Sequence, residues 1–393
     1  MILLTGGTVK TMVGPDIEEG QVLIDGDKIV KVGKKVRVPR GTEKIDCKGC
    51  IVAPGLIDAH THVGIHESSV RWEGDDVNEG LKPITPDIRA LDGIYPSDEE
   101  LDAALKSGVT VACVTPGSAN VVGGTACAIK LYGNCIDDML IKEPVAMKAA
   151  FGENPKGLHG QAGRSPKTRM AIAALLRNLL TKTIQYAQEL DAAAEDSSKK
   201  KPTFDPELQA MIPVVKRQIP LKVHAHRDYD ILTAIRIAKE FNIRLTLDHC
   251  TEGHLIVDKL KEAGFPVQVG PSFGHKSKHE LRDKTFATPG ILQHAGLQVS
   301  IITDSPVTPL HYLPLCAGLA VREGMDEQEA WKAVTINPAK VLGIDDQFGS
   351  LEVGKVANIA VFEGNPLRDI QAKAKYVLVD GKVVVNQLLD LPF

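Results

Sequence analysis

Eight apolar segments of strand length between residues 54 and 345 limit what this chain can fold into more than any other feature. In chain order they are GLIDAH, VTVACVT, ACAIKLY, VAMKAAF, LKVHAH, RLTLDH, PVQVG and VSIITD. Amphipathic segments lie between several of them; in DILTAIRIAKEF, Ile231, Leu232, Ile235 and Ala238 recur at helical spacing. This alternation predicts a parallel sheet, and eight strands predict an α/β fold of the (β/α)8 TIM-barrel type.

The two ends of the chain are rich in strands and turns. The N-terminal part contains QVLIDGDKIVKVG, and the C-terminal part contains NIAVFEG and KYVLVDGKVVV, with Asp-Gly turn signals. Two β-rich ends bury their apolar residues most simply by packing together. We therefore expect residues 1–53 and 346–393 to form a small composite β-sandwich and residues 54–345 to form the barrel.

Charge and composition argue against several classes of function. A net charge of -4 and a pI near 6.3 do not suggest a nucleic-acid surface. The N-terminus lacks a basic region, and no apolar run reaches membrane-spanning length. Seven scattered cysteines do not suggest a disulfide framework, and we interpret the lone C-x-x-C of Cys47 and Cys50 as a turn. The sequence predicts a cytoplasmic protein that acts on a small molecule, and it is compatible with a homo-oligomer.

His60 and His62 lie at the end of the first apolar segment, in the string DAHTH. The strand period of two directs both imidazoles to one face, and the carboxyl-end rim of a barrel is where active sites form. Imidazole is a good ligand for zinc and related ions. By itself, however, H-x-H is a weak signal.

Further ligand-type residues end other predicted strands: His224, His249 and Asp304. This repetition predicts a site for one or two divalent ions, with zinc as the first choice. His226 shares a strand face with His224, so either imidazole could bind metal. We favour His224 as the ligand. His226 is expected to contact substrate or polarise its carbonyl, and Arg227 to contact substrate; an imidazole that holds a carboxylate is an equal alternative for His226.

A site with two ions needs a bridging anion, and the fourth predicted strand offers two candidates. Glu153 is a carboxylate at the strand end, and we prefer it; its alternative role is to stabilise a helix N-terminus ahead of Pro155. Lys148 could bridge only after carboxylation by carbon dioxide, because a free ammonium has no lone pair. Otherwise Lys148 would form a salt bridge inside the barrel.

The loops after the strands are expected to select the substrate. Arginine suits a substrate carboxylate because it can bind both oxygens, although an ordinary surface ion pair is the better explanation for any single arginine. The candidates are His66, Glu67, Gly123, Gly124, Arg164, Arg169 and His275.

The string DAHTH after VAPGLI, together with the later strand-end residues, resembles the amidohydrolase superfamily. The segments TINPAKVLGI and GSLEVGKVANIAVFEGNPL resemble the last helix and the re-entry strand of that family. The resemblance covers nearly the whole chain and is strongest to the branch of imidazolonepropionases and metal-dependent prolidases. It implies that His60, His62, His224 and His249 hold metal that activates water, with Asp304 as the general base.

Neither specific activity of that branch transfers to this chain, because GENPK on the fourth strand matches neither pattern. A deaminase of aminated heterocycles is a second interpretation, but Arg227 stands where such an enzyme usually has a carboxylate. A third is a non-catalytic scaffold, as in the dihydropyrimidinase-like proteins. Scaffolds of that kind lose ligands, whereas this sequence keeps all those expected.

Overall fold

Residues 1–387 are described by the computed structural model, and both ends of the chain contribute to one eight-stranded sheet. Its strands are β1 (Ile2–Val9), β2 (Ile17–Asp25), β3 (Lys28–Gly33), β4 (Glu43–Asp46), β5 (Cys50–Pro54), β14 (Ile359–Glu363), β15 (Lys373–Val379) and β16 (Lys382–Asn386). Antiparallel pairing of β5 with β14, where Val52 lies opposite Val361, joins the two ends. The sheet encloses its own apolar core, which includes Leu4, Val22 and Ile359.

The second sheet is the barrel, and its eight strands correspond to the eight apolar segments. They are β6 (Leu56–Thr61), β7 (Val109–Val114), β8 (Val122–Lys130), β9 (Leu140–Ala150), β10 (Leu221–Ala225), β11 (Leu245–His249), β12 (Val267–Val269) and β13 (Val299–Ile301). Each strand pairs with its neighbour in chain order. The predicted class, an α/β barrel with a small β-domain made from both chain ends, is confirmed.

One strand contradicts the expectation of a parallel sheet. β8 runs antiparallel to both β7 and β9. The link between β7 and β8 consists only of residues 115–121, whereas a parallel crossover needs a dozen or more residues. The chain therefore reverses, and the start of β8, with Gly123 and Gly124, lies at the end of the barrel where β7 and β9 terminate.

The buried carboxylate of Asp58 helps to close the barrel between β6 and β13. It accepts hydrogen bonds from Thr303 N at 2.9 Å and Thr303 Oγ1 at 2.6 Å. The backbone adds contacts at the same seam, since Asp304 N–H donates to His60 O at 3.2 Å and His62 N–H donates to Ser305 O at 2.8 Å. These bonds bring the end of the first barrel strand beside the end of the last.

Helices cover the outside of the barrel and connect its strands. They are α1 (Glu99–Lys106), α2 (Ile136–Met139), α3 (Glu153–Gln161), α4 (Arg169–Glu195), α5 (Pro206–Val215), α6 (Asp228–Glu240), α7 (Val257–Ala263), α8 (Thr288–His294), α9 (Leu313–Arg322), α10 (Glu327–Ala333) and α11 (Ile336–Leu342). Within residues 1–387, no helix has the length and apolar character required to cross a membrane.

Candidate metal centre

Two groups of potential ligands lie at the carboxyl ends of the barrel strands. The first, which we call the His60 cluster, consists of His60, His62 and Asp304, with one ligand atom from each within 4.8 Å of the others. Asp304 Oδ1 lies 3.1 Å from His60 Nε2 and 3.3 Å from His62 Nε2. The seam between β6 and β13 therefore brings together residues that are more than 240 positions apart in the chain.

The second group, which we call the His224 cluster, consists of His224, His226 and His249 at the ends of β10 and β11. One ligand atom from each again lies within 4.8 Å of the others, and all three residues are buried. The ring centroids of His249 and His60 are 5.0 Å apart. The two clusters are therefore adjacent and share one end of the barrel.

Backbone geometry at the strand ends directs two of these side chains. His249 has φ of 70° and Asp304 has φ of 54°, in the left-handed region that costs a residue with a β-carbon about 1–3 kcal/mol. Successive side chains in a regular strand point to opposite faces. The turn at His249 instead allows both Asp248 and His249 to approach His60.

Hydrogen bonds to backbone carbonyls fix the tautomers of two imidazoles. His62 Nδ1 donates to Thr115 O at 2.6 Å, and His249 Nδ1 donates to Gly270 O at 2.7 Å. A carbonyl oxygen can only accept, so each Nδ1 carries a proton, and in the neutral form of each ring the lone pair is on Nε2. This tautomer is the one required for metal binding through Nε2.

His60 is oriented by a buried charged network beneath the cluster. Its Nδ1 lies 2.8 Å from Asp248 Oδ2, while Asp248 Oδ1 accepts from Lys222 Nζ at 3.0 Å and from Gln268 Nε2 at 2.6 Å. Burial by itself would raise the pKa of Asp248, but Lys222 and His60 outweigh it and hold that pKa well below its usual value. Asp248 is therefore ionised and accepts the proton of Nδ1.

The imidazoles of the His224 cluster are neutral. Burial lowers the pKa of His249 to about 3 and holds the pKa of His224 and His226 well below the usual value. Nε2 of His249 is buried and has no hydrogen-bond partner among residues 1–387. Neutral imidazoles, carboxylates and an unpartnered buried nitrogen fit a divalent ion such as zinc.

The two candidate bridging residues lie in different places. Lys148 on β9 is fully buried, and its Nζ is 3.1 Å from His60 Nε2. Burial lowers the pKa of Lys148 to about 8, against the opposing attraction of Asp248 and Asp304. Glu153 instead begins α3, where its Oε2 accepts from Glu280 N–H at 3.2 Å, and it belongs to neither cluster.

The three arginines considered for substrate binding already have protein partners. Arg227 Nε lies 2.9 Å from Glu252 Oε1, and Arg169 Nε donates to Asp230 Oδ1 at 3.0 Å. Arg164 donates to two backbone carbonyls at 2.7 and 2.8 Å. Arg227 is nevertheless adjacent to the His224 cluster in the chain, whereas the other two guanidinium groups hold α4 and the loop before it in place.

The remaining loop candidates are dispersed. His66 pairs with Asp75 at 3.2 Å, Glu67 is half-buried, and His275 is exposed after β12. A β-carbon at Gly123 would lie 3.8 Å from the side chain of Lys148, so this glycine lies against the barrel interior. A β-carbon at Gly124 would lie 2.3 Å from Ile88 O, which explains the glycine by close backbone packing.

Sequence reasoning missed three polar residues beside the His224 cluster. Glu280 Oε1 is 3.5 Å from His224 Nε2 and 2.7 Å from Lys278 Nζ. Asn154 Oδ1 accepts from Lys278 Nζ at 3.0 Å, so its amide nitrogen faces His224 Nε2 at 3.4 Å. Lys278 and Glu280 lie in the polar segment GHKSKHEL, which has neither strand nor helix periodicity, and only their position after the seventh strand could have indicated them.

Comparison with known proteins agrees with this fold. The model of the amidohydrolase family matches residues 51–385, and the chain belongs to that family. It is 28% identical over 385 residues to an imidazolonepropionase of Deinococcus radiodurans, and the alignment covers 90% of this chain and 88% of that relative. It is also 26% identical over 387 residues to amidohydrolase tasK of Hapsidospora irregularis, covering 92% of this chain but only 39% of that longer relative.

Solved structures show the same architecture. An amidohydrolase from Thermotoga maritima MSB8 superposes with a TM-score of 0.94 and 38% identity, covering 98% of this chain and 100% of that one. A prolidase in complex with N-methylphosphonate-L-proline superposes with a TM-score of 0.62 and 21% identity, and the match covers 98% of this chain and 100% of the prolidase. The second likeness is one of fold alone.

Proposed function

We propose that this protein is a metal-dependent hydrolase that cleaves a carbon–nitrogen bond in an amide, a cyclic amide or a peptide-like substrate. The observation that carries the proposal is the pair of adjacent ligand clusters at one end of an amidohydrolase barrel. Nδ1 hydrogen bonds to carbonyl or carboxylate groups orient His60, His62 and His249 so that Nε2 is the nitrogen that would bind an ion. A scaffold without metal would not need these matched tautomers.

The clusters supply ligands for two divalent ions, with zinc preferred for a set of imidazoles and carboxylates. In this proposal the His60 cluster holds one ion, and His224 and His249 hold the other. A divalent ion at such a site lowers the pKa of bound water and polarises a substrate carbonyl.

Lys148, rather than Glu153, is the bridge that the geometry supports. Its Nζ reaches within 3.1 Å of His60 Nε2, whereas Glu153 is occupied at the start of α3. The neutral amine of Lys148 would add to carbon dioxide and release one proton, which leaves a carbamate with one negative charge and two oxygen donors. This replaces the sequence-based preference for Glu153.

Asp304 is the proposed general base. Its Oδ1 lies 3.1 Å from His60 Nε2 and 3.3 Å from His62 Nε2, beside the nitrogens that would hold an ion. An ionised carboxylate at this position can accept a proton from the attacking water and return it to the leaving nitrogen. Arg227 and His275 remain the candidates for substrate contact, and the arginine could bind both oxygens of a substrate carboxylate.

Elemental analysis of purified protein tests the proposal. Wild-type protein loaded with zinc and desalted is expected to retain one or two equivalents, and His60→Ala combined with His62→Ala is expected to lose metal while staying folded by circular dichroism. His294→Ala is the control, because this imidazole is exposed and belongs to neither cluster. Wild-type protein without bound metal would contradict the proposal and favour the scaffold.

A substrate screen separates hydrolysis from deamination. Amides, lactams and dipeptides are expected to be cleaved at the carbon–nitrogen bond by the loaded protein. Release of ammonia from aminated heterocycles, with no cleavage of any amide, would instead favour the deaminase interpretation.

A further inference from the structure

Glu280 is a buried carboxylate for which the proposed chemistry has not yet given a role. It lies in a single helical turn, His279–Leu281, in the segment after β12, and only 1% of its side chain is exposed. Its Oε2 accepts from Glu153 N–H at 3.1 Å, which anchors the carboxylate to the start of α3. This anchor directs the other oxygen, Oε1, to the His224 cluster.

Oε1 of Glu280 faces two imidazoles at distances that are long for hydrogen bonds. It lies 3.5 Å from His224 Nε2 and 3.7 Å from His226 Nε2. Hydrogen bonds between nitrogen and oxygen span about 2.7–3.2 Å. Donor atoms around a tetrahedral zinc ion with bonds of about 2.0–2.1 Å are separated by about 3.3–3.4 Å. The two observed distances are about 0.1–0.4 Å longer than this, so Oε1 and the two Nε2 atoms are spaced nearly as ligands of one ion would be.

The imidazole tautomers agree with that arrangement. Nδ1 of His226 lies 2.7 Å from Thr251 Oγ1, an oxygen that can accept its proton. The amide nitrogen of Asn154 faces His224 Nε2, which is therefore an acceptor. Both Nε2 atoms are then unprotonated and able to bind an ion beside Oε1, and at His224 this ion would replace the long 3.4 Å contact with the Asn154 amide.

Charge favours the same conclusion. Three neutral imidazoles and one oxygen of the bridging carbamate would still leave more than one positive charge of a buried ion uncompensated, which is costly in a low-dielectric site. The His60 cluster already contains the carboxylate of Asp304. No hydrogen bond with normal angles reaches Oε1 of Glu280 from the described residues, although Lys278 Nζ lies 2.7 Å away as an ion-pair partner.

We infer that Glu280 is the carboxylate ligand of the ion at the His224 cluster and that His226 ligates the same ion instead of contacting substrate. This inference rests on the proposed metal-dependent function. Lys278 then neutralises Glu280 when no ion is bound, and it keeps its hydrogen bond to Asn154 when an ion takes its place.

Metal affinity, measured by chelator competition, tests the role of Glu280 without any substrate. Glu280→Gln keeps the shape of the side chain and removes its charge. We expect the ion at the His224 cluster to bind more than about 100-fold more weakly, which is beyond the usual effect of losing an outer partner of a ligand. The ion at the His60 cluster should be retained.

Glu252→Gln is the matched control. Glu252 is an equally buried carboxylate at the same end of the barrel, but its partners are Arg227 and the Asp228 backbone and it belongs to neither cluster. Glu252→Gln should change the metal affinity of neither the His60 cluster nor the His224 cluster by more than about threefold. If Glu280→Gln behaves like this control while wild-type protein binds metal, the inference is wrong and the proposed function stands.

Diffraction from zinc-loaded crystals of the wild-type protein tests whether Glu280 is a ligand without relying on the folding of a variant. Anomalous scattering locates the ions, and a Glu280 oxygen is expected within about 2.0–2.2 Å of one of them, with His226 Nε2 at a similar distance. Ions that lie more than about 3 Å from every Glu280 oxygen would overturn the inference. If wild-type protein takes up no ion at all, the proposed function itself fails.

Discussion

Substitution of Asp248 by Asn should separate the structural role of the buried network from its role in metal binding. The carboxylate of Asp248 is fully buried between His60 Nδ1, Lys222 Nζ and Gln268 Nε2. Asn keeps the size of the side chain but has one acceptor and no charge. Lys222, which is also fully buried, would lose the carboxylate with which it pairs.

The expected loss of stability follows from that unpaired ammonium. Removing one partner of a buried ion pair typically costs about 3–5 kcal/mol. A chain of 393 residues that unfolds as one unit has an unfolding entropy of about 0.8 kcal/mol per kelvin. The melting temperature of metal-free Asp248→Asn should therefore fall by about 4–6 °C.

Metal affinity should fall for a different reason. If the Asn oxygen faces Lys222, the amide nitrogen faces His60 Nδ1 and can donate only to an unprotonated nitrogen. His60 would then carry its proton on Nε2 and lose the lone pair that a metal needs. Loss of such an outer partner usually weakens metal binding by about 10- to 100-fold.

The double variant Asp248→Asn with Lys222→Met distinguishes the two effects. Methionine removes the unpaired charge, so calorimetry of the metal-free protein should show most of the melting temperature restored. Chelator competition should show metal affinity still reduced, because His60 has no carboxylate partner. Recovery of full affinity would refute the tautomer argument, and an unchanged melting temperature in the single variant would refute the ion-pair argument.

Three further outcomes are expected. Asp304→Asn should keep much of the metal but lower turnover of any amide substrate by about 10²- to 10⁴-fold, and a near-normal rate would assign the base role elsewhere. Lys148→Ala should reduce two bound ions toward one by elemental analysis, with recovery in short carboxylic acids; if Glu153→Gln does so instead, Lys148 is not the bridge. At pH 8 a disulfide reagent should label one thiol rapidly, the exposed Cys135, and Cys135→Ser should abolish this phase. Burial raises the pKa of four thiols to about 12, so at pH 8 only about 10⁻⁴ of each is thiolate; they are Cys47, Cys113, Cys250 and Cys316. Rapid labelling of two thiols in the native protein would contradict this burial.

Local periodicity was enough to predict where the main ligand candidates lie in the fold. Strand-length apolar segments with His60, His224, His249 and Asp304 at or near their ends predicted these residues at the carboxyl ends of barrel strands, and the corresponding strands end within three residues of each. This works because the alternation of side chains along a strand is a local property. The barrel topology then brings successive strand ends to the same side.

The relative positions of the bridging candidates depended on contacts that no local pattern contains. Register places Lys148 opposite Lys222 on the neighbouring strand, inside the barrel and beside His60. Glu153, only five positions later, has already turned into α3 and away from both clusters. Distance along the chain does not reveal at which residue a strand leaves the barrel.

Tertiary structure alone brought Asp248 and Glu280 to the imidazoles. Asp248 reaches His60 because the left-handed turn at His249 breaks the alternation of the strand, and 188 positions separate the two partners. Glu280 reaches the His224 cluster through a loop held by the backbone at Glu153. The sequence by itself therefore determined which strand ends carry ligand-type side chains. Which carboxylates orient or supplement them was decided by long-range packing, because a charge is stable in the interior only where folding provides its partners.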